Sequence, residues 1–188
     1  MLHVLGGECR VMMWPRKAGL ADYHSHDRSR SDQPREAMSV TDELTEIERR
    51  ILVTLNDAGE EYVSALINTV IECEGNHSEV TSVIDALRKF LHGSFVGCAI
   101  ARDTNTLELI KLAESEAIHL LNALPEQISW SQEDSLWIWT ASQPRLVVLL
   151  TNSGKSMSHK VVTGTGAERI RAFLIARAKD PRWYKDYR

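Results

Sequence analysis

The sequence predicts an α+β fold: a core of three helices, an extra helix inserted after them, a small antiparallel hairpin and a C-terminal helix. Three observations carry this. Apolar residues recur at helical spacing in three successive blocks between residues 44 and 91. Near residue 136 the period changes to two, with large side chains alternating. A last helical block then follows a glycine pair.

The first helix opens with Ser39 and Asp42, an S-x-x-D start signal. Leu44, Ile47, Ile51 and Leu55 mark its apolar face, and Gly59 is placed to end it. Tyr62, Val63, Leu66, Ile67 and Val70 predict a second helix over 62–73, closed by Gly75. Asn76 with Glu79 three residues on starts a third over 77–92, ended by Gly93. Its inner face is Val80, Val83, Ile84, Leu87, Phe90 and Leu91. Ser94 to Ala101 is short, apolar and bounded by turn residues, so it reads as a strand. A fourth helix over 105–124 carries Leu107, Ile110, Ala113, Ala117, Leu120, Leu121 and Leu124 inward, stops at Pro125 and has a mostly acidic outer face.

Leu136 to Thr140 and Arg145 to Thr151 then read as two arms of a hairpin, with Asn152 to Lys155 as a turn and His159 to Val162 as a further strand. The final helix, 166–178, turns Ile170, Phe173 and Leu174 inward and Arg169, Arg171 and Arg177 outward. Its apolar face is the expected contact of a homodimer. Residues 181–185 form a basic and aromatic tail.

Three regions follow. Residues 1–38 are polar and mixed in charge, without apolar period, and are expected to be disordered. Two readings fit them: a flexible tail, or a stretch upstream of a functional start at Met38. Residues 39–165 form the main domain. Residues 166–188 hold the last helix and the tail.

The net charge of −4 is unevenly placed. Region 39–165 has nine basic and eighteen acidic side chains, whereas 166–188 has seven basic and three acidic. So acidic a middle disfavours general polyanion binding, and any nucleic-acid contact needs a local patch. No apolar run reaches the roughly 18–20 residues of a membrane span, and Met1 to Gly7 lacks the basic lead-in of a secretory signal. Three cysteines at wide spacing, Cys9, Cys73 and Cys98, fit a reducing cytoplasm.

Three short helices followed by β structure with a glycine turn is the order of a winged helix. The run Arg145, Leu150, Thr151, Gly154, Lys155 resembles the wing of regulators of the multiple-antibiotic-resistance repressor type. The resemblance covers roughly 39–160. It implies a dimeric regulator binding double-stranded DNA, with the third helix in the major groove and the wing tip on the backbone. Arg88 and Lys89, with Lys155 and Lys160 near the wing, are then the expected phosphate contacts, and Thr81 and Ser82 the base readers. The sequence departs from that family in its inserted fourth helix. It departs also in Glu79 and Asp85 on the outer face of the third helix.

Other motifs fail on spacing. Ser153 to Ser156 ends like a phosphate-binding loop, but Leu149 stands where its first glycine belongs. Gly164 and Gly166 begin a dinucleotide fingerprint whose third glycine is replaced by Arg169. Cys73 and His77 lack a second ligand pair, and no G-x-S-x-G elbow occurs. No enzyme activity, cofactor or metal is therefore expected. The alternative to a DNA-binding regulator is a protein-interaction or adaptor module with an acidic surface, gripping its partner through Trp137 and Trp139.

Overall fold

The computed structural model describes residues 43–72, 75–101, 109–140 and 145–179. All belong to a compact unit spanning 37–188. They form an α+β structure with six helices, a four-stranded antiparallel sheet and a separate two-stranded hairpin.

Helix α1, Glu46–Ala58, starts at Thr45. Thr45 Oγ1 accepts from the Glu48 N–H (3.2 Å), and the Glu48 carboxylate accepts from the Thr45 N–H (2.7 Å). This capping box satisfies two otherwise orphaned donors. The expected Ser39 start lies outside the described residues. Gly59 ends the helix at φ +81°, a conformation that costs glycine nothing. The next residues, Glu60–Tyr62, form a short strand, β1, which takes Tyr62 out of the second helix expected over 62–73. Helix α2, Val63–Val70, and helix α3, His77–His92, follow. The predicted inner face of α3 is buried residue for residue, with Ala86 added.

Strand β2, Val96–Ala101, lies within the expected run. The fourth helix is displaced. Residues Leu109–Lys111 are strand β3, paired with β2, and helix α4 runs Glu114–Gln127. Leu107 lies outside the described residues. Pro125 stands in the last turn without stopping the helix, because there its fixed φ is helical and only one backbone bond is lost.

The predicted hairpin does not form. Strand β5, Leu136–Trp139, pairs instead with β4, Ile128–Ser131. Strand β6, Leu146–Leu150, joins the large sheet, whose order is β1-β6-β2-β3. β6 is central, which suits its unbroken apolar run: Leu146, Val147, Val148 and Leu150 are all buried.

The expected turn at 152–155 and strand at 159–162 are both helix: α5 spans Asn152–Thr163. Thr151 caps it by accepting from the Gly154 N–H (3.1 Å), while its own N–H donates to the Phe95 carbonyl (3.1 Å) and its hydroxyl to the Ser94 carbonyl (2.6 Å). Gly154 is there for close approach, not for a turn: a Cβ would lie 1.8 Å from the Phe95 carbonyl oxygen. Helix α6, Ala167–Ala178, packs on α1 and α2 through buried Ile170 and half-buried Phe173 and Leu174. The apolar residues expected at a dimer contact are thus used within the chain, leaving Ile175 exposed.

Candidate nucleic-acid interface

Seven apolar side chains fix the orientation of α3 in the core. That leaves Ser78, Thr81, Ser82, Asp85, Lys89 and His92 exposed on the opposite face. Thr81 and Ser82 donate their hydroxyls to their own helix, at the His77 and Ser78 carbonyls (both 3.0 Å). Their acceptor lone pairs remain available. Glu79 is not on this face. It is half-buried, and its carboxylate accepts from the Glu72 N–H (2.7 Å). One of the two acidic side chains counted on the outer face is thereby removed, leaving Asp85.

Arg88 and Lys89 differ in what they hold. Arg88 pairs with Asp85 one turn back (2.5 Å) at the helix surface. Lys89 reaches inward to Glu48 of α1 (2.7 Å), whose side chain is only 5% exposed. Arg88 is half-buried with its Nε covered, but its partner Asp85 is exposed, so the pair can be exchanged for a phosphate or a base edge. Lys89 instead neutralises a buried carboxylate, and withdrawing it exposes that carboxylate's desolvation cost.

Lys155 and Lys160 are exposed on α5, which packs on α1, so neither stands on a wing. The contact of Gly154 with Phe95 nevertheless places Lys155 beside the turn that ends α3. His92, the last residue of α3, pairs with Glu114 at the start of α4 (2.7 Å).

The tryptophans divide. Trp137 is 2% exposed and belongs to the core. Asn68 holds it as a strand would: the Trp137 N–H donates to Asn68 Oδ1 (2.8 Å), and Asn68 Nδ2 donates to the Trp137 carbonyl (2.9 Å). His77 and Trp130 pack edge-on against its ring at 4.7 and 5.7 Å. Trp137 is therefore not a surface anchor. Trp139, on the same inward face, is half-buried. Both indole N–H groups are buried without a hydrogen-bond partner among the described residues.

Elsewhere the polar groups read as structural. A groove of about 390 Å³ between α1 and α6 is lined by Glu46, Arg50, Glu72, Arg169 and Phe173. Arg50 fills its floor. It donates to the Val70 carbonyl that ends α2 (3.2 Å), pairs with Glu46 and Glu72, and lies 3.7 Å over the Phe173 ring. Sequence reasoning missed this residue because a charged side chain on an apolar helix face gives no local signal of its distant partners. Burial pushes the Cys98 thiol up to about 12, so it is an inert core group. Burial also raises the Glu61 carboxyl, opposed by the Tyr62 N–H and reinforced by Glu60. Among the described residues no three histidine, cysteine or acidic side chains are grouped to hold a metal, and no helix is long and apolar enough to cross a membrane.

Comparison with protein-family models, curated proteins and solved structures finds no match for this chain.

Proposed function

We propose that this chain is a DNA-binding regulator built on a winged-helix plan, with its wing replaced by a large insert. The observation that carries the reading is the sheet order. Helix, strand, two helices, strand and a later central strand, α1-β1-α2-α3-β2-β6 with β6 between β1 and β2, is the order a winged helix would have. The segment between β2 and β6, which holds β3, α4 and the β4–β5 hairpin, occupies the place of the wing. The sheet order replaces the Leu-Thr-x-x-Gly-Lys run as support, since that run is the end of a strand and the first turn of a helix.

In this reading α3 enters the major groove. Thr81 and Ser82 meet base edges, Arg88 leaves Asp85 for a phosphate or a guanine, and Lys155 adds positive charge where α5 begins. Lys160 contributes to the field and Lys89 serves mainly the fold. Fluorescence anisotropy with a mixed-sequence duplex, at low and then moderate salt, tests it. Salt-sensitive binding that weakens about tenfold in Arg88→Ala is expected. Absence of binding at low salt would overturn it.

That second outcome favours the adaptor reading. Residues 112–144 contain five acidic side chains and no lysine or arginine, a surface suited to a basic protein partner.

A further inference from the structure

The β4–β5 hairpin has two unlike faces. Its register pairs Ile128 with Trp139 and Trp130 with Trp137, so these four side chains share the inward face. Ser129, Ser131, Leu136 and Ile138 share the other. A two-stranded ribbon buried on one side ordinarily turns polar residues out. β4 does so with its serines, whereas β5 presents Leu136 and Ile138, the latter 39% exposed. Acidic groups stand at both ends: Glu126 just before β4, and Glu133 and Asp134 in the connecting turn.

We propose that residues 180–188 of this chain, which lie outside the described residues, dock on this outward face. Three observations converge on that occupant. The first is where α6 ends. In its last turn Arg177 Nε donates to the Asn68 carbonyl (3.1 Å), and the Asn68 side chain grips the backbone of Trp137 in β5. Residue 180 thus follows directly from a helix end fastened to the same residue as the hairpin. The second is composition. The segment Asp-Pro-Arg-Trp-Tyr-Lys-Asp-Tyr-Arg supplies cations at 182, 185 and 188 and aromatic rings at 183, 184 and 187. The face offers the complement, acidic ends and, along β5, the apolar Leu136 and Ile138. The third is length. At about 3.3 Å per residue, 182 to 188 spans roughly 20 Å, enough to run along a four-residue ribbon and reach both acidic ends. Attachment to α6 makes the docking intramolecular, at an effective concentration of order millimolar.

Hydrogen exchange of the backbone amides at 128–131 and 136–139, read by NMR in the full chain, tests the proposal. Reversing the three cations together, Arg182→Glu, Lys185→Glu and Arg188→Glu, is expected to accelerate exchange there about tenfold, independently of protein concentration. Ile138→Ser is expected to accelerate it similarly, with little further effect when combined with the reversals. Unchanged exchange in the charge-reversed chain would overturn the proposal. Protection that rises with protein concentration would overturn it too, and assign the face to a second copy.

Discussion

The outer face of α3 and the β4–β5 hairpin are surfaces of opposite character, fastened to the core by different means. The α3 face carries short hydroxyls and two basic residues on a helix held by seven buried apolar side chains. The hairpin lies in a stretch of chain with no lysine or arginine and is held by the inward Ile128, Trp130, Trp137 and Trp139 together with the Asn68 clamp. Apolar burial is distributed, so no single α3 contact is decisive. At the hairpin a clamp of two hydrogen bonds adds a polar attachment centred on one residue, Asn68. Net charge conceals this division, because a chain of −4 can present one local face fit for polyanions and another fit for cations.

Substitutions at five positions break or sharpen the contrast. Gly154→Ala has the largest expected effect. The added carbon meets the backbone of Phe95, which cannot yield, and about 3 kcal/mol of stability should be lost in denaturant melts. Because Gly154 joins α5 to the end of α3, this change loosens the helical half.

Asn68→Ala should act on the other half. It strips partners from the buried N–H and carbonyl of Trp137, at a cost of about 2 kcal/mol. Amides of 136–139 should then exchange faster than those of α3, which remain protected.

The two basic residues of α3 should separate cleanly. Lys89→Ala leaves the buried Glu48 carboxylate without its cation and should lower stability by about 1 kcal/mol, the pair being half-open to solvent. Arg88→Ala should leave the melting midpoint nearly unchanged and appear only in DNA affinity.

The smallest effect is a pH dependence at Glu61. Its carboxyl is raised in the folded state, so folding favours the protonated form. That contribution is present below the ordinary glutamate range and is lost as pH rises through the folded value. Glu61→Gln should therefore stabilise slightly at neutral pH and leave acid stability unchanged, as measured by paired melts.

The helical half was legible in the sequence because its signals are local. Asn76, Gly93 and six apolar positions at helical spacing define α3 without reference to anything distant. Beyond residue 105 the last helix and the strands at 136–139 and 146–150 were legible as elements, but the strand pairings and α5 were not. β6 reads as the second arm of a hairpin with β5, yet its partners are β1 and β2, far back in the chain. A β run does not announce its neighbours. Asn152 to Lys155 reads as a turn, yet it is the capped start of a helix. What decides is Phe95, against which only a glycine at 154 can pack. The site was legible in part. Thr81, Ser82 and Arg88 lie where helical periodicity puts them, but the inward reach of Lys89 and the withdrawal of Glu79 depend on Glu48 and Glu72 of other segments.

The central claim is that the working surface is the outer face of α3. NMR titration of the ¹⁵N-labelled full chain with duplex DNA at low salt tests it most directly. The account predicts shifts concentrated at 78–92 and at 152–156, with 128–139 unmoved. Shifts confined to the hairpin, or none at all, would contradict it.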